Sequence, residues 1–233
     1  MSEIDFRSAF SAGAMALVDS HPFFGFLSSE KMDAATTARF LQSFDHLVAC
    51  FPPVVAAAAE AAQAPAIEAI LRENLADELG HGDPTETHHA IYRRFLRTND
   101  IPTLDGAPPL AAARWRQALI ELMDNAESDA EVLGLLAAEE FLAIPCISRM
   151  YATCRHHYPG GDHGYFTTHL HLEEEHMAEL VEAIEQLDDP ALQAQILPSF
   201  EVAIGAWETY FTALLAELEA APAPCGSQAK RAA

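Results

Sequence analysis

"HLHLEEEHMAEL" (169–180) sets three histidines and four glutamates into twelve positions. On a helix turning about 100° per residue, with His169 at the origin, Glu173 falls near roughly +40° and His176 near roughly −20°. Tyr165, Phe166, Leu172, Met177, Leu180, Ala183, Ile184 and Leu187 share that side, while His171, Glu174, Glu175 and Glu182 take the other. A carboxylate in the middle of an apolar stripe is costly unless a positive group answers it. Two imidazoles beside it point to a metal ion.

The same counting organises the rest of the chain. Apolar residues recur at helical spacing over approximately 3–18, 33–62, 65–80, 85–98, 108–126, 128–153, 162–188 and 195–220, and the alternation of a strand is missing. The expected architecture is an all-α bundle of seven to eight helices in one domain, 1–220. "SHPFFGFL" (20–27) reads as an apolar connector, and "NDIPTLDGAPP" (99–109) and "HHYPGGDHG" (156–164) read as loops. "APAPCGSQAKRAA" (221–233) has no periodicity and is expected to be a disordered tail.

Charge and cysteine usage narrow the function. Lys and Arg number 13 against 35 Asp and Glu, a formal charge of −22. Nucleic acid and anionic membranes call for a basic surface, so neither is an expected partner. The same balance weighs against haem, whose propionates look for basic residues. Cys50, Cys146, Cys154 and Cys225 form no CxxC pair, so neither a zinc knuckle nor a disulfide framework follows. The opening "MSEIDFRSAF" lacks the basic and apolar regions of a signal peptide, and no charge-free run of 18 apolar residues is seen. A soluble cytoplasmic protein is the expectation.

A metal centre needs ligands from several helices, and other apolar stripes supply them. Glu78 aligns with Ile67, Leu71, Asn74 and Leu75, whereas Glu73 and Asp77 point elsewhere. In "PTETHHAIYRRFL" (84–96), His88 aligns with Ile91, Tyr92 and Phe95. "VLGLLAAEEFLAIPCISRMY" (132–151) is apolar nearly all round, as a central helix is, and carries Glu139 and Glu140 at its middle. Glu140 shares a face with Leu133, Leu136, Ile144, Ile147 and Tyr151. Glu139 shares one with Val132, Leu135, Cys146 and Met150. Adjacent residues cannot both face one site, and Glu140 is preferred. The set is then Glu78, His88, Glu140, His169, Glu173 and His176. Six such ligands exceed one tetrahedral zinc and include no thiolate. Mixed carboxylate and imidazole suits iron or manganese, with carboxylates able to bridge two ions.

Taken singly, Glu78 or His88 reads as a hydrogen-bonded core residue, and Glu174, Glu175, Glu179 and Glu182 as a solvated face. Three metal-type residues on one buried stripe have no such ordinary explanation.

H-x3-[DE]-x2-H late in an all-helical chain, here "HLHLEEEH" (169–176), resembles the haem-oxygenase-like di-iron oxidases and oxygenases. So does "ENLADELGHGDPTETHHAIYRRFL" (73–96), with its "DELG", its "GDP" break and its "HxxIY" helix; "SHPFFGFL" is similar to the family's opening segment. The resemblance covers roughly residues 20 to 215. It implies a haem-oxygenase-like fold that binds two iron ions instead of haem, with O2 as co-substrate and a homodimer as the possible assembly. The family's carboxylates and histidines fall on Glu78, His88, Glu140, His169, Glu173 and His176. Some members use a histidine only three positions after the first carboxylate, which makes His81 a competitor to His88. Gly80, Gly82 and Pro84 surround His81, so His88 is preferred. Members often carry aspartate where this chain has Glu173, and some add a carboxylate from an early helix, here Asp45 or Glu60. The implied activity is oxygenation or oxidation of a small amine or amino-acid-derived substrate by N-oxygenation, C–C cleavage or desaturation.

Other readings compete. A ferritin-like di-iron bundle would use the two E-x-x-H motifs, Glu78/His81 and Glu173/His176, and leave His88 and His169 idle. A metal-free thiaminase-like or cofactor-free oxidase on the same fold would, in its thiaminase form, want Cys50 or Cys146 as nucleophile, and such a thiol needs a nearby cation. An acidic interaction protein would explain the charge but not the buried His/Glu set.

Overall fold

Where a helix starts, the sequence often offers an acceptor for the unpaired backbone N–H groups of its first turn. Asp5 accepts from Ser8 N at 3.0 Å, Asp33 from Thr36 N at 2.7 Å, Thr87 from Ala90 N at 3.0 Å and Ser128 from Glu131 N at 3.3 Å. These residues open α1 (Phe6–Ser20), α3 (Ala34–Ala61), α5 (His88–Thr98) and α7 (Asp129–His157). The remaining helices are α2 (Pro22–Leu27), α4 (Pro65–Glu78), α6 (Leu110–Asp124), α8 (Gly164–Glu185) and α9 (Pro190–Ala220). The computed structural model describes residues 4–104, 106 and 109–220, the side chain of Glu173 excepted; the tail expected at 221–233 lies outside the described residues.

The protein is all-α: its described residues form nine helices and no strand. Eight are the expected segments. The ninth, α2, is "PFFGFL", read from sequence as a connector; His21 Nδ1 accepts from Phe23 N and Pro22 opens the helix. Phe23, Phe24, Phe26 and Leu27 are buried, so tertiary packing holds a helix too short to be stable alone. Helix α9 also starts earlier than expected, running from Pro190 through Pro198.

α7 is the central helix, packed against α9, α8, α1 and α3. Gly134 allows a close approach of α7 to α9: a Cβ there would run into the Ile196 carbonyl of α9. Phe10, Phe141 and Phe200 knit α1, α7 and α9 together, with ring centroids 5.1 and 4.9 Å from Phe10. On the other side Trp115, Trp207 and Phe211 join α6 to α9. α3 is long and apolar enough by length and composition to cross a membrane, yet most of that apolar window is buried in the fold, as in a core helix.

Two polar ties place α5, which carries His88. Asp45 on α3 is fully buried and meets His89 Nε2 at 2.9 Å and Arg93 at 3.0 Å. Burial pushes the Asp45 carboxyl up, but the hydrogen bonds and charges of His89 and Arg93 outweigh it and hold the group below its ordinary value. The Tyr92 hydroxyl donates to the Leu41 carbonyl at 2.8 Å. Arg94 reaches Asp162 at 2.7 Å, fastening α5 to the segment that opens α8.

Candidate metal centre

Four helices bring the predicted residues inward. Glu78 closes α4, His88 opens α5, Glu140 lies mid-way along α7, and His169 and His176 lie on α8. All five are buried. One ligand atom from each of Glu78, His88 and His169 lies within 4.8 Å of the other two. His88 Nδ1 is 2.6 Å from Glu78 Oε1, and the rings of His88 and His169 are 4.3 Å apart, centre to centre. Glu173 lies on α8 between the two histidines; its side chain is outside the described residues.

Glu140 and His176 form a second group. His176 Nδ1 is 3.5 Å from Glu140 Oε2, and Asn74 donates to Glu140 Oε1 at 2.8 Å. Asp77 then spans two histidines: its Oδ2 accepts from His176 Nε2 at 3.2 Å, and its Oδ1 meets His81 Nε2 at 2.6 Å. Counting round the helix directed Asp77 away from the site. It stands at the flank, close enough to reach across to α8, and only the packing of α4 on α8 reveals that. Asn74 did share the Glu78 stripe, which is the signal that would have found it.

The His169 imidazole is oriented for lone-pair donation. His169 Nδ1–H donates to the Tyr165 carbonyl at 2.8 Å, so its Nε2 carries the free pair. Such backbone or carboxylate partners fix the tautomer of ligating histidines. Burial, reinforced by the neighbouring His88 charge, pushes His169 down to about 3, which makes it a neutral imidazole at ordinary pH. His176 moves the opposite way. Burial alone would lower it, but the hydrogen bonds and charges of Glu140 and Asp77 prevail and raise it to about 9. With Nε2–H held by Asp77, its Nδ1 faces Glu140. The pocket around His176 therefore favours a cation, whether a proton or a metal.

The other candidates separate from this centre. His81 lies in a 3-10 turn, Gly80–Gly82, at φ 48°, with its side chain 58 % exposed. Asp45 is committed to His89 and Arg93 on α5, and Glu60 is exposed at the end of α3. Glu139 lies about 100° round α7 from Glu140. Trp207 Nε1 donates to its Oε1 at 2.9 Å, while Oε2 is buried with no hydrogen-bond partner among the described residues. Burial pushes the Glu139 carboxyl well above the usual carboxylate range.

Beside the centre lies a cavity of about 80 Å³. Glu78 and His169 form its polar end and Glu139 another polar point; the walls include Phe44, Phe51, Leu142, Met150, Trp115 and Trp207. Cys146 also lines it, and burial pushes that thiol well above its ordinary value. Cys50, nearby on α3, is raised by burial too, against an opposing pull from Arg116. Neither is poised as a thiolate nucleophile.

Comparison with known proteins agrees with this architecture. Two crystal structures of a CADD-like protein of unknown function from Nostoc punctiforme share the fold. One superposes with a TM-score of 0.75 at 17 % identity, covering 91 % of this chain and 98 % of the other. The second gives 0.71 at 15 % identity, covering 91 % and 96 %. No match was found among curated proteins. The family model described as iron-containing redox enzyme matches residues 38–208, a span that includes Glu78, His88, Glu140, His169, Glu173 and His176. The chain belongs to the family of iron-containing redox enzymes.

Proposed function

We propose that the protein is a non-haem di-iron oxidoreductase that uses O2 to oxidise or oxygenate a small amine or amino-acid-derived substrate. The observation that carries this reading is the convergence of Glu78, His88 and His169 from three helices into one buried cluster. The donor set is oxygen and nitrogen without thiolate, which suits iron. Glu78, His88 and His169 would hold one ion; Glu140 and His176, with Glu173 from the same stripe of α8, would hold the other. Two irons so held would supply the redox chemistry that reduces O2 and oxidises the substrate.

The protein's own contribution is orientation, charge and exclusion of water. The Tyr165 carbonyl fixes the His169 ring, Asp77 fixes His176, and Asn74 fixes Glu140. The negative charge of Glu140 and Asp77 makes proton-for-metal exchange at His176 the coupled event of loading. The cavity brings a substrate up to Glu78 and His169 between aromatic and aliphatic walls, where competing hydrolysis is suppressed.

His81, exposed on its turn, weakens the ferritin-like alternative, and the raised Cys50 and Cys146 thiols weaken the metal-free one. The test is anaerobic Fe(II) loading followed by metal analysis and O2 uptake with a panel of amines and amino acids. Two irons per chain and substrate-dependent O2 consumption are expected, with both lost in His169→Ala. No iron above background, or a His169→Ala chain that keeps two irons and full turnover, would overturn the assignment.

A further inference from the structure

We propose that Asp77 and His81 form a surface capture site for a divalent metal ion, through which iron enters the buried centre. The inference rests on the preceding reading of that centre and adds a route to it. Four side chains form a line from solvent inward. His81 Nε2 meets Asp77 Oδ1 at 2.6 Å, Asp77 Oδ2 accepts from His176 Nε2 at 3.2 Å, and His176 Nδ1 is 3.5 Å from Glu140 Oε2. In that order the side chains are 58, 25, 7 and 3 % exposed. Each member offers a carboxylate oxygen or an imidazole nitrogen, the donors that suit iron. The His176 ring stands between the flank and the centre, with one nitrogen toward each. The line therefore joins water to the centre without a break in metal-binding chemistry.

The outer pair is held in place by the turn that carries it. His81 sits at φ 48° between Gly80 at 66° and Gly82 at 89°, and a non-glycine residue in that region bears a backbone cost. A Cβ on Gly80 would come within 2.7 Å of Thr87 N, so the turn is seated against the residue that caps α5. Two protein ligands, with water completing the coordination, make a weak site. Weakness suits passage, since an ion must bind well enough to enter and loosely enough to leave. The formal charge of −22 draws cations to the surface and raises their rate of encounter. A transit site lowers the barrier equally in both directions, so it changes rates and leaves the equilibrium affinity alone. That separates His81 from the ligands, whose loss changes how much metal is held.

Stopped-flow uptake of Co(II) by the metal-free chain, followed by visible absorption, decides the matter, with metal analysis at equilibrium beside it. Uptake by the parent should saturate with Co(II) concentration, because the ion first occupies the pair. Asn and Asp both tolerate a left-handed backbone, so two variants separate ligation from shape. His81→Asn should slow uptake and release to EDTA alike, by about tenfold, with the metal content at equilibrium unchanged. His81→Asp should stay within about threefold of the parent. His171→Asn, which removes an exposed histidine of α8, should leave both rates unaltered. Uptake by His81→Asn as fast as the parent's, or by His81→Asp as slow as that of His81→Asn, would overturn the proposal. So would a slow variant restored by more concentrated buffer at the same pH, which would assign the line to protons. Should the variants not fold, parent uptake that rises linearly with Co(II) up to millimolar concentration would overturn it. A chain that binds no metal would remove the centre and the route together; two metals per chain at a rate indifferent to His81 would remove the route alone.

Discussion

Glu139 and Glu140 stand one position apart on α7, each 3 % exposed, and the helix turns them into different surroundings. On Glu140's side Asn74, His176 and, one step further, Asp77 form a polar cluster against α4 and α8. On Glu139's side the Trp207 indole N–H meets the carboxyl, and the cavity wall beside it is mostly aromatic and aliphatic, with Glu78 and His169 as its other polar groups. Burial raises the Glu139 carboxyl, while Glu140 helps raise His176. A turn of about 100° thus separates a face set among hydrogen-bonding groups from a face that lines the cavity. The same residue type serves both, and the neighbours decide which chemistry each carboxyl performs.

The strongest way to break this contrast is to remove each carboxyl in turn. Glu140→Ala should remove at least one iron per chain and abolish turnover, whereas Glu139→Ala should retain both irons; metal analysis after anaerobic loading reads the difference. Equal iron loss in the two variants would erase the distinction between the faces.

A smaller effect is expected one shell outward. Asp77→Asn keeps the shape but weakens the hold on His176 Nε2, and outer partners of ligating histidines are typically worth 10–100-fold in metal affinity. Iron affinity should fall within that range, and the His176 imidazole, followed by NMR in the metal-free chain, should titrate below its value of about 9.

The pH dependence of the metal-free chain sharpens the comparison within α8. His176 is raised above its ordinary 6.5 in the fold, so its stabilising contribution is complete below pH 6.5 and is lost as pH rises through about 9. His169 is lowered to about 3, so below pH 6.5 the unfolded chain takes up a proton that the folded chain refuses, and stability falls as the solution is acidified. Urea midpoints should decline on both sides of about pH 6.5. His176→Gln should flatten the alkaline limb and His169→Gln the acid limb. A variant that flattens the wrong limb would refute the assignment of the two imidazoles.

The least effect belongs to His81→Ala. That side chain is mostly exposed and, among the described residues, meets the centre through Asp77, so iron content should be unchanged and affinity altered by no more than a few fold. Loss of an iron would revive the E-x-x-H reading.

Much of this was legible in residue spacing. The helical period of α8 puts His169 and His176 on one buried stripe, and the all-apolar circumference of α7 marks it as central, because burial and periodicity are properties of a single helix. Glu78 and His88 were legible for the same reason. α2 was not: six residues carry too little periodicity, and its helix exists because four apolar side chains find a core prepared by others. Nor was the role of Asp77, whose partner His176 is 99 residues away.

The sequence by itself determined the helical class, the inward-facing histidines and glutamates, and the family to which they point, since each follows from local periodicity and residue chemistry. Only the tertiary structure decided how they are used. It set Glu140 among hydrogen bonds and Glu139 against a cavity, tied Asp45 to Arg93 rather than to the centre, and moved two histidines of one motif in opposite directions. The reason is physical: a side chain's charge state and partners depend on the dielectric and the groups brought to it by other helices, and no single helix carries that information.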